Sequence, residues 1–352
     1  MFYQCEKCKK TWQYPLFKCP DCFIELKRKK GEQAKVIGVS KVDISTLLHP
    51  QTPYFVLVLE DENGNRWTHK SIHEYKMGDS FSMPASATKE SVSVCRFNYD
   101  YQEVIDRAIS LIGDISIKPK DKVLILPTLE KPSHPYFSEN TSPDFLQAMI
   151  ECLFEKGISP ENIKVGAQSF TDLPIEAAAK KSQLLDVCLQ NKVEPLDLSK
   201  KDFVEKEKEG LTFEVSKEID NYKLIINLPI LRIDSQWKVG GAVENAFKLI
   251  SKKSYLGLKY LYEYPVLLTA AQRVLPPYLT VAEAISVQRK DKLTTFVGLV
   301  LASFNPLHLE RILAEITMQD HLPDHLKNIK IGDIPIAGRK IKEVQYDVDK
   351  TY

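Results

Sequence analysis

The chain opens with two cysteine pairs, Cys5-x2-Cys8 and Cys19-x2-Cys22, with ten residues between them. Two such hooks facing each other across a short hairpin put four thiolates at the corners of a tetrahedron. A d10 zinc ion accepts that geometry without penalty. The spacing predicts one structural zinc per chain, held by Cys5, Cys8, Cys19 and Cys22. Four thiolates close the coordination sphere, so the metal would shape the chain and not meet a substrate. Rubredoxin-type iron is the alternative. Rubredoxin knuckles usually carry glycine after the second cysteine of each pair, whereas Lys9 and Phe23 stand there in this chain. That difference favours zinc. Cys95, Cys152 and Cys188 are isolated in sequence. Unpaired thiols beside a thiolate metal site point to a reducing, cytoplasmic compartment.

A chain of 352 residues has room for two or three domains and a sizeable core. The formal net charge of +1 gives no global field toward nucleic acid or membrane. No run of about 18 apolar residues exists, which excludes a membrane-spanning helix.

Three stretches follow different rules. Residues 1–30 hold the ribbon and a basic connector. Residues 31–90 read as short strands: the dense run Tyr54–Leu59, the turn Asp61-Glu62-Asn63-Gly64-Asn65, and a second turn at Met77-Gly78-Asp79. A small barrel of the OB type fits this spacing. Residues 91–352 alternate strands with helices. Val123-Leu124-Ile125-Leu126 is a continuous apolar run, as a strand covered on both faces requires. Asp100 with Glu103, and Ser142 with Pro143, start helices that close at Gly113 and Gly157. Residues 174–190 and 241–253 read as helices, Thr280-x-x-Glu283 as the cap of another, and Lys200–Glu209 as a solvated loop or helix face. The alternation predicts an α/β domain with a mostly parallel sheet.

The first 88 residues resemble the zinc-ribbon and OB-fold proteins of domain-of-unknown-function family 35. The four cysteines, Pro53–Leu59 and the turn at Met77-Gly78-Asp79 carry the resemblance. It implies a non-catalytic accessory module that accompanies thiolase-like enzymes and acyl-CoA chemistry. Residues 91–352 resemble domain-of-unknown-function family 362. The matching segments include Ile117–Ile125, Thr141-Ser142-Pro143, Ile225–Pro229, Gly241–Asn245 and Leu301–Pro306. Around Gly157–Ile163 the chain is also distantly similar to the N-terminal half of nickel-pincer lactate racemases. The chain departs from family 362 where charge matters. Leu126-Pro127-Thr128 replaces Ile-Lys-Pro-Asn, Arg232-Ile233-Asp234 replaces Lys-Thr-His, Glu244-Asn245 replaces Lys-Asn, and Asn305-Pro306 replaces Asp-Pro. Carboxylate for imidazole alters metal preference, and amide for carboxylate removes a base. The resemblance therefore implies an altered α/β domain and leaves open whether it catalyses a reaction.

Ligands of open α/β sheets bind beyond the carboxyl ends of strands. The candidate ligand-binding residues are accordingly Thr128, Arg232, Asp234, Lys238, Asn245 and Asn305, with His134, Tyr136 and Ser303 as companions. The bland readings are an Arg–Asp surface pair, a glycine turn at Gly240-Gly241, and Asn305 as a helix N-cap. Three functions compete. The first is an accessory or ligand-binding protein for an acyl-CoA or small anionic ligand, with a thiolase-like partner. The second is single-stranded nucleic-acid binding through Trp12, Tyr14, Tyr54, Arg66, Trp67 and Lys70. The third is an enzyme with an added metal on Asp234, His134, Glu244 or His308.

Overall fold

The computed structural model describes all residues except 1, 13–15, 17, 30–32, 45–52, 62–63, 72–73, 83–89, 114, 209, 234–238, 290–292, 320 and 348–352. The chain forms two compact units, Met1–Ser86 and Ala87–Tyr352. Among the described residues, no helix is long and apolar enough to cross a membrane.

Among its described residues, the first unit contains two sheets. Strands β1 (Phe2–Gln4), β2 (Thr11–Trp12) and β3 (Lys27–Lys29) form an antiparallel sheet in the order β2-β1-β3. Strands β4 (Gln33–Val42), β5 (Tyr54–Asp61), β6 (Arg66–Ser71) and β7 (Ser80–Ser82) pair in the order β6-β5-β4-β7. The β4–β5 register shifts between Val36 and Gly38. Such a bulge bends a strand and increases its twist. The four strands curl into a half-barrel around Val36, Phe55, Leu57, Leu59, Trp67 and Phe81. The expected strand-rich segment is therefore present, curled as half of a barrel.

The second unit is built on a nine-stranded mixed sheet. Its strands are β8 (Val92–Arg96), β9 (Val123–Pro127), β10 (Ile163–Ala167), β11 (Glu194–Asp197), β14 (Leu224–Leu228), β15 (Ile230–Arg232), β16 (Leu279–Gln288), β17 (Thr294–Ser303) and β18 (Ile336–Gly338). The order is β11-β10-β9-β14-β16-β17-β8-β18, with β15 also pairing β16. Strands β11 through β16 run parallel along this order, while β17 is antiparallel to both neighbours. The β9 run divides its side chains as a two-sided strand must. Val123 and Ile125 face the helices Tyr101–Leu111 and Pro143–Glu155, while Leu124 and Leu126 join Phe247, Leu267 and Leu268 on the other face. Asp100 and Ser142 cap those first two helices as their positions predict, accepting from Glu103 N at 3.0 Å and Phe145 N at 3.3 Å.

Four local expectations need correction. Residues 279–288 form a central strand and no helix. The Thr280-x-x-Glu283 pattern is met instead by a long-range contact: Glu283 accepts from Ser142 N at 2.9 Å and Ser142 Oγ at 2.7 Å. The segment 174–190 is two helices, Ile175–Lys181 and Leu184–Gln190, broken where Gln183 turns left-handed (φ 65°). Residues 241–253 split into the helix Ala242–Asn245, a 3-10 turn Ala246–Leu249, and the start of Lys252–Leu261. Within 200–209, β12 (Phe203–Lys208) pairs with β13 (Leu211–Ser216) as a hairpin turning at Gly210.

Candidate functional site

The four N-terminal sulfurs converge. One ligand atom from each of Cys5, Cys8, Cys19 and Cys22 lies within 4.8 Å of all the others. Cys8 Sγ and Cys19 Sγ are 3.6 Å apart. A tetrahedral ion with ~2.3 Å bonds to sulfur spaces its ligands ~3.8 Å apart, so the cluster fits one metal ion. Each knuckle closes in the same way. Lys9 N donates to Cys5 O at 2.9 Å, and Phe23 N donates to Cys19 O at 2.9 Å. Lys9 and Phe23 both adopt the left-handed conformation, with φ of 61° and 57°. The knuckle turn thus forms without glycine, at a cost of about 1–2 kcal/mol per residue. The missing glycines therefore do not separate zinc from iron.

A second cluster stands at the carboxyl ends of β9 and β15. Arg232 ends β15 and forms a two-pronged ion pair with Glu130, each bond 3.2 Å long. It also donates to Glu244 at 2.9 Å. Glu244 lies on the helix Ala242–Asn245 and accepts from Tyr264 Oη at 2.5 Å. These contacts use three of the five guanidinium donors. About a third of the Glu130 side chain (36%) stays exposed, so the cluster borders open space. Burial would raise the Glu130 carboxyl, but the paired Arg232 guanidinium is the largest opposing influence, and the carboxyl stays below the usual range. Burial dominates at Lys248, whose ammonium is pushed down despite the nearby Glu130.

Gly241 fixes the approach of that helix. Its φ is +121°, and a Cβ there would sit 2.5 Å from the Ile230 carbonyl oxygen. Gly241→Ala should destabilise the second unit by about 2–3 kcal/mol, combining left-handed strain and overpacking. A urea titration followed by the helical circular-dichroism signal reads the loss. An unchanged midpoint would contradict this backbone contact.

The candidate residues separate into three groups. Thr128, Arg232 and Asn245 come together. Thr128 is buried: its Oγ1 accepts from Ile230 N at 3.1 Å and its N donates to Thr141 Oγ1 at 2.8 Å. Asn245 is also buried and donates to Leu126 O and Asn227 Oδ1, each at 2.8 Å. Both tie strand ends together beneath Arg232. Asp234 and Lys238 lie outside the described residues. Asn305 is elsewhere. Because Thr280 pairs with Ser303, the end of antiparallel β17 lies at the beginning of β16, the opposite edge from Arg232. There Asn305 caps the helix Pro306–Ile316, accepting from His308 N at 3.2 Å, and donates to Glu90 at 2.7 Å. Ser303 is held by Ser91 O at the same edge.

His134 caps a short turn by accepting from Tyr136 N at 3.2 Å, and it lines a depression of about 480 Å3 with Phe137, Glu139 and Gln288. Gln288 is also the register partner of Arg232. Among the described residues, His134, Glu244 and His308 do not gather into a metal-binding group. Tyr54 and Trp67 are buried, which removes two of the proposed base-stacking residues, while Tyr14 and the side chain of Lys70 fall outside the description. The sequence reading missed Glu130 and Lys248. The usable signal was the lysine inside the apolar run Ala246-Phe247-Lys248-Leu249.

Residues 123–315 match the family described as Domain of unknown function (DUF362). The match spans more than half of the 352 residues. The chain belongs to the DUF362 family. The DUF362 span contains Glu130, Arg232, Glu244, Lys248 and Tyr264, and so the whole second cluster. No curated protein matches the chain. Nine solved chains match it, and two of these are similar to parts of it as follows. One, titled Ltp2-ChsH2(DUF35) aldolase, is 20% identical, with 24% of this chain and 70% of that chain covered at a TM-score of 0.20. The other is the lactate racemase apoprotein from Thermoanaerobacterium thermosaccharolyticum, 12% identical, with 66% of this chain and 58% of that chain covered at a TM-score of 0.40.

Proposed function

We propose that this DUF362 protein binds a small organic anion at the Arg232 cluster and carries one structural zinc in its N-terminal unit. The observation that carries the ligand reading is Arg232 itself. Glu130 and Glu244 hold the guanidinium rigidly, and two of its donors remain for a carboxylate or phosphate oxygen. The cluster stands beyond parallel strand ends, where such sheets receive ligands. The neighbouring depression of about 480 Å3 has the volume of a small-molecule site. For the metal, zinc suits four closed thiolates in a reducing compartment. A coenzyme A thioester offers phosphate oxygens and a simple acid offers a carboxylate, and either suits the open guanidinium donors. The role would be that of an accessory protein in acyl-CoA or small-acid metabolism, with a thiolase-like partner.

A thermal-shift panel tests this reading. It would contain coenzyme A, acyl-CoA thioesters, small hydroxy and keto acids, and single-stranded DNA and RNA. A ligand that binds only the folded chain at 100 times its dissociation constant adds about 2.7 kcal/mol of stability. We expect acids or thioesters to raise the melting temperature, and Arg232→Gln to weaken that binding at least tenfold. A response to nucleic acid alone, fading as salt rises, would overturn the proposal, as would silence across the whole panel.

A further inference from the structure

Lys248 is only 2% exposed, yet its Nζ has no hydrogen-bond or ion-pair partner among the described residues. Its position is firmly set. Gln168 Nε2 donates to the Lys248 carbonyl at 2.6 Å and to Ile250 O at 2.7 Å, and the 3-10 turn Ala246–Leu249 carries it. Its ammonium lies within electrostatic reach of Glu130, Arg232 and Glu244. A buried ammonium without a partner is costly, whereas a buried free amine is a nucleophile. Desolvation, with Arg232 adding, lowers the affinity of Lys248 for its proton, and Glu130 and Glu244 only partly oppose this. The amine therefore shares its surroundings with Arg232, which keeps two open donors, and with the Glu130 and Glu244 carboxylates.

Building on the small-anion reading, we propose that Lys248 forms an imine with a small 2-oxo acid whose carboxylate rests on Arg232. The Nζ lone pair attacks the keto carbon and the new C–N bond forms. The carbonyl oxygen takes a proton and the nitrogen gives one up, yielding a carbinolamine. The C–O bond then breaks, the hydroxyl leaves with a proton as water, and C=N remains. Amine and ketone become imine and water, with no oxidant or reductant. Each proton that nitrogen loses is matched by one that oxygen gains, so no acid or base is consumed.

The full-length protein is incubated with pyruvate or glyoxylate and cyanoborohydride, which reduces imines to stable secondary amines. Adducts are then mapped by peptide mass. The expected result is a single adduct per chain on Lys248, formed at least tenfold faster than on any surface lysine and slowed by propionate. Lys248→Met, close in shape, should abolish it without lowering the melting temperature of the unliganded chain. Adducts spread evenly over surface lysines would overturn the proposal. If propionate raises the melting temperature but Lys248 stays unlabelled, the imine falls and the anion site stands. If neither acid binds nor labels, the anion reading falls with it.

Discussion

Cys19→Ser should reduce bound metal from about one equivalent per chain to nearly none, and the N-terminal ribbon should lose its structure. The ribbon strands β1, β2 and β3 contain three, two and three residues. So few backbone bonds and so little apolar area cannot offset the entropy of ordering the segment, and modules below about 40 residues usually need a metal or disulfide. A structural zinc site contributes an apparent ~10–16 kcal/mol at neutral pH, far more than any single packing contact here. The second unit should be indifferent. All helices among the described residues belong to it, so the helical circular-dichroism melt should match the wild type. Elemental analysis measures the metal and also separates zinc from iron. Amide hydrogen exchange over residues 2–29 measures the ribbon. A variant that keeps stoichiometric metal and slow exchange would show that the four sulfurs are not the ligand set.

Much of the architecture was legible because it rests on local chemistry. The cysteine spacing announced the four-sulfur cluster directly. The uninterrupted Val123–Leu126 run announced a strand buried on both faces, and Asp100, Ser142 and Asn305 marked helix starts correctly through their side-chain acceptors. The misreadings share a cause. Thr280 and Glu283 have the spacing of a helix cap, but Leu279–Gln288 is held by hydrogen bonds from the distant strands β14 and β15 and from the following strand β17. A capping pattern contains no information about those neighbours, and tertiary pairing overrode it.

The candidate site was legible in part for the same reason. Arg232 and Thr128 stand at strand ends that point one way, where the rule about parallel sheets looks, and Asn245 ends the short helix beside them. Asn305 follows a strand of the opposite direction, and nothing in Phe296–Ala302 reveals direction. Glu130 sits on a loop, and only the fold brings it to Arg232. Lys248 was hidden by its own neighbours, since an apolar run suggests core and the charge within it looks incidental.

Replacing Glu283 with glutamine should remove a pH dependence from the second unit and stabilise it in mild base. Glu283 is buried on β16, and burial raises its pKa from 4.5 to about 7, opposed by the two Ser142 bonds. The unfolded chain releases this proton near 4.5, while the folded chain holds it to about 7. Between those values the unfolded state binds fewer protons, so stability falls as pH rises. It is flat below that window and flat again above it. A shift of that size corresponds to roughly 3 kcal/mol at ~1.36 kcal/mol per unit. The helix Pro143–Glu155 presents its amino end to this carboxylate, which favours the anion and trims the effect to about 2–3 kcal/mol. Glutamine mimics the protonated acid. Its carbonyl accepts from Ser142 N, and its amide donates to Ser142 Oγ as the acid proton can. Urea unfolding at pH 5 and pH 8 should show the two proteins within about 1 kcal/mol of each other at the lower value. At the higher value Glu283→Gln should lead by about 2–3 kcal/mol. Parallel pH profiles for the two proteins, or a glutamine variant weaker at both values, would mean that the carboxylate is ionised in the fold. Glu283 would then act as a charged cap for the helix Pro143–Glu155, and not as a neutral hydrogen-bonding member of the core.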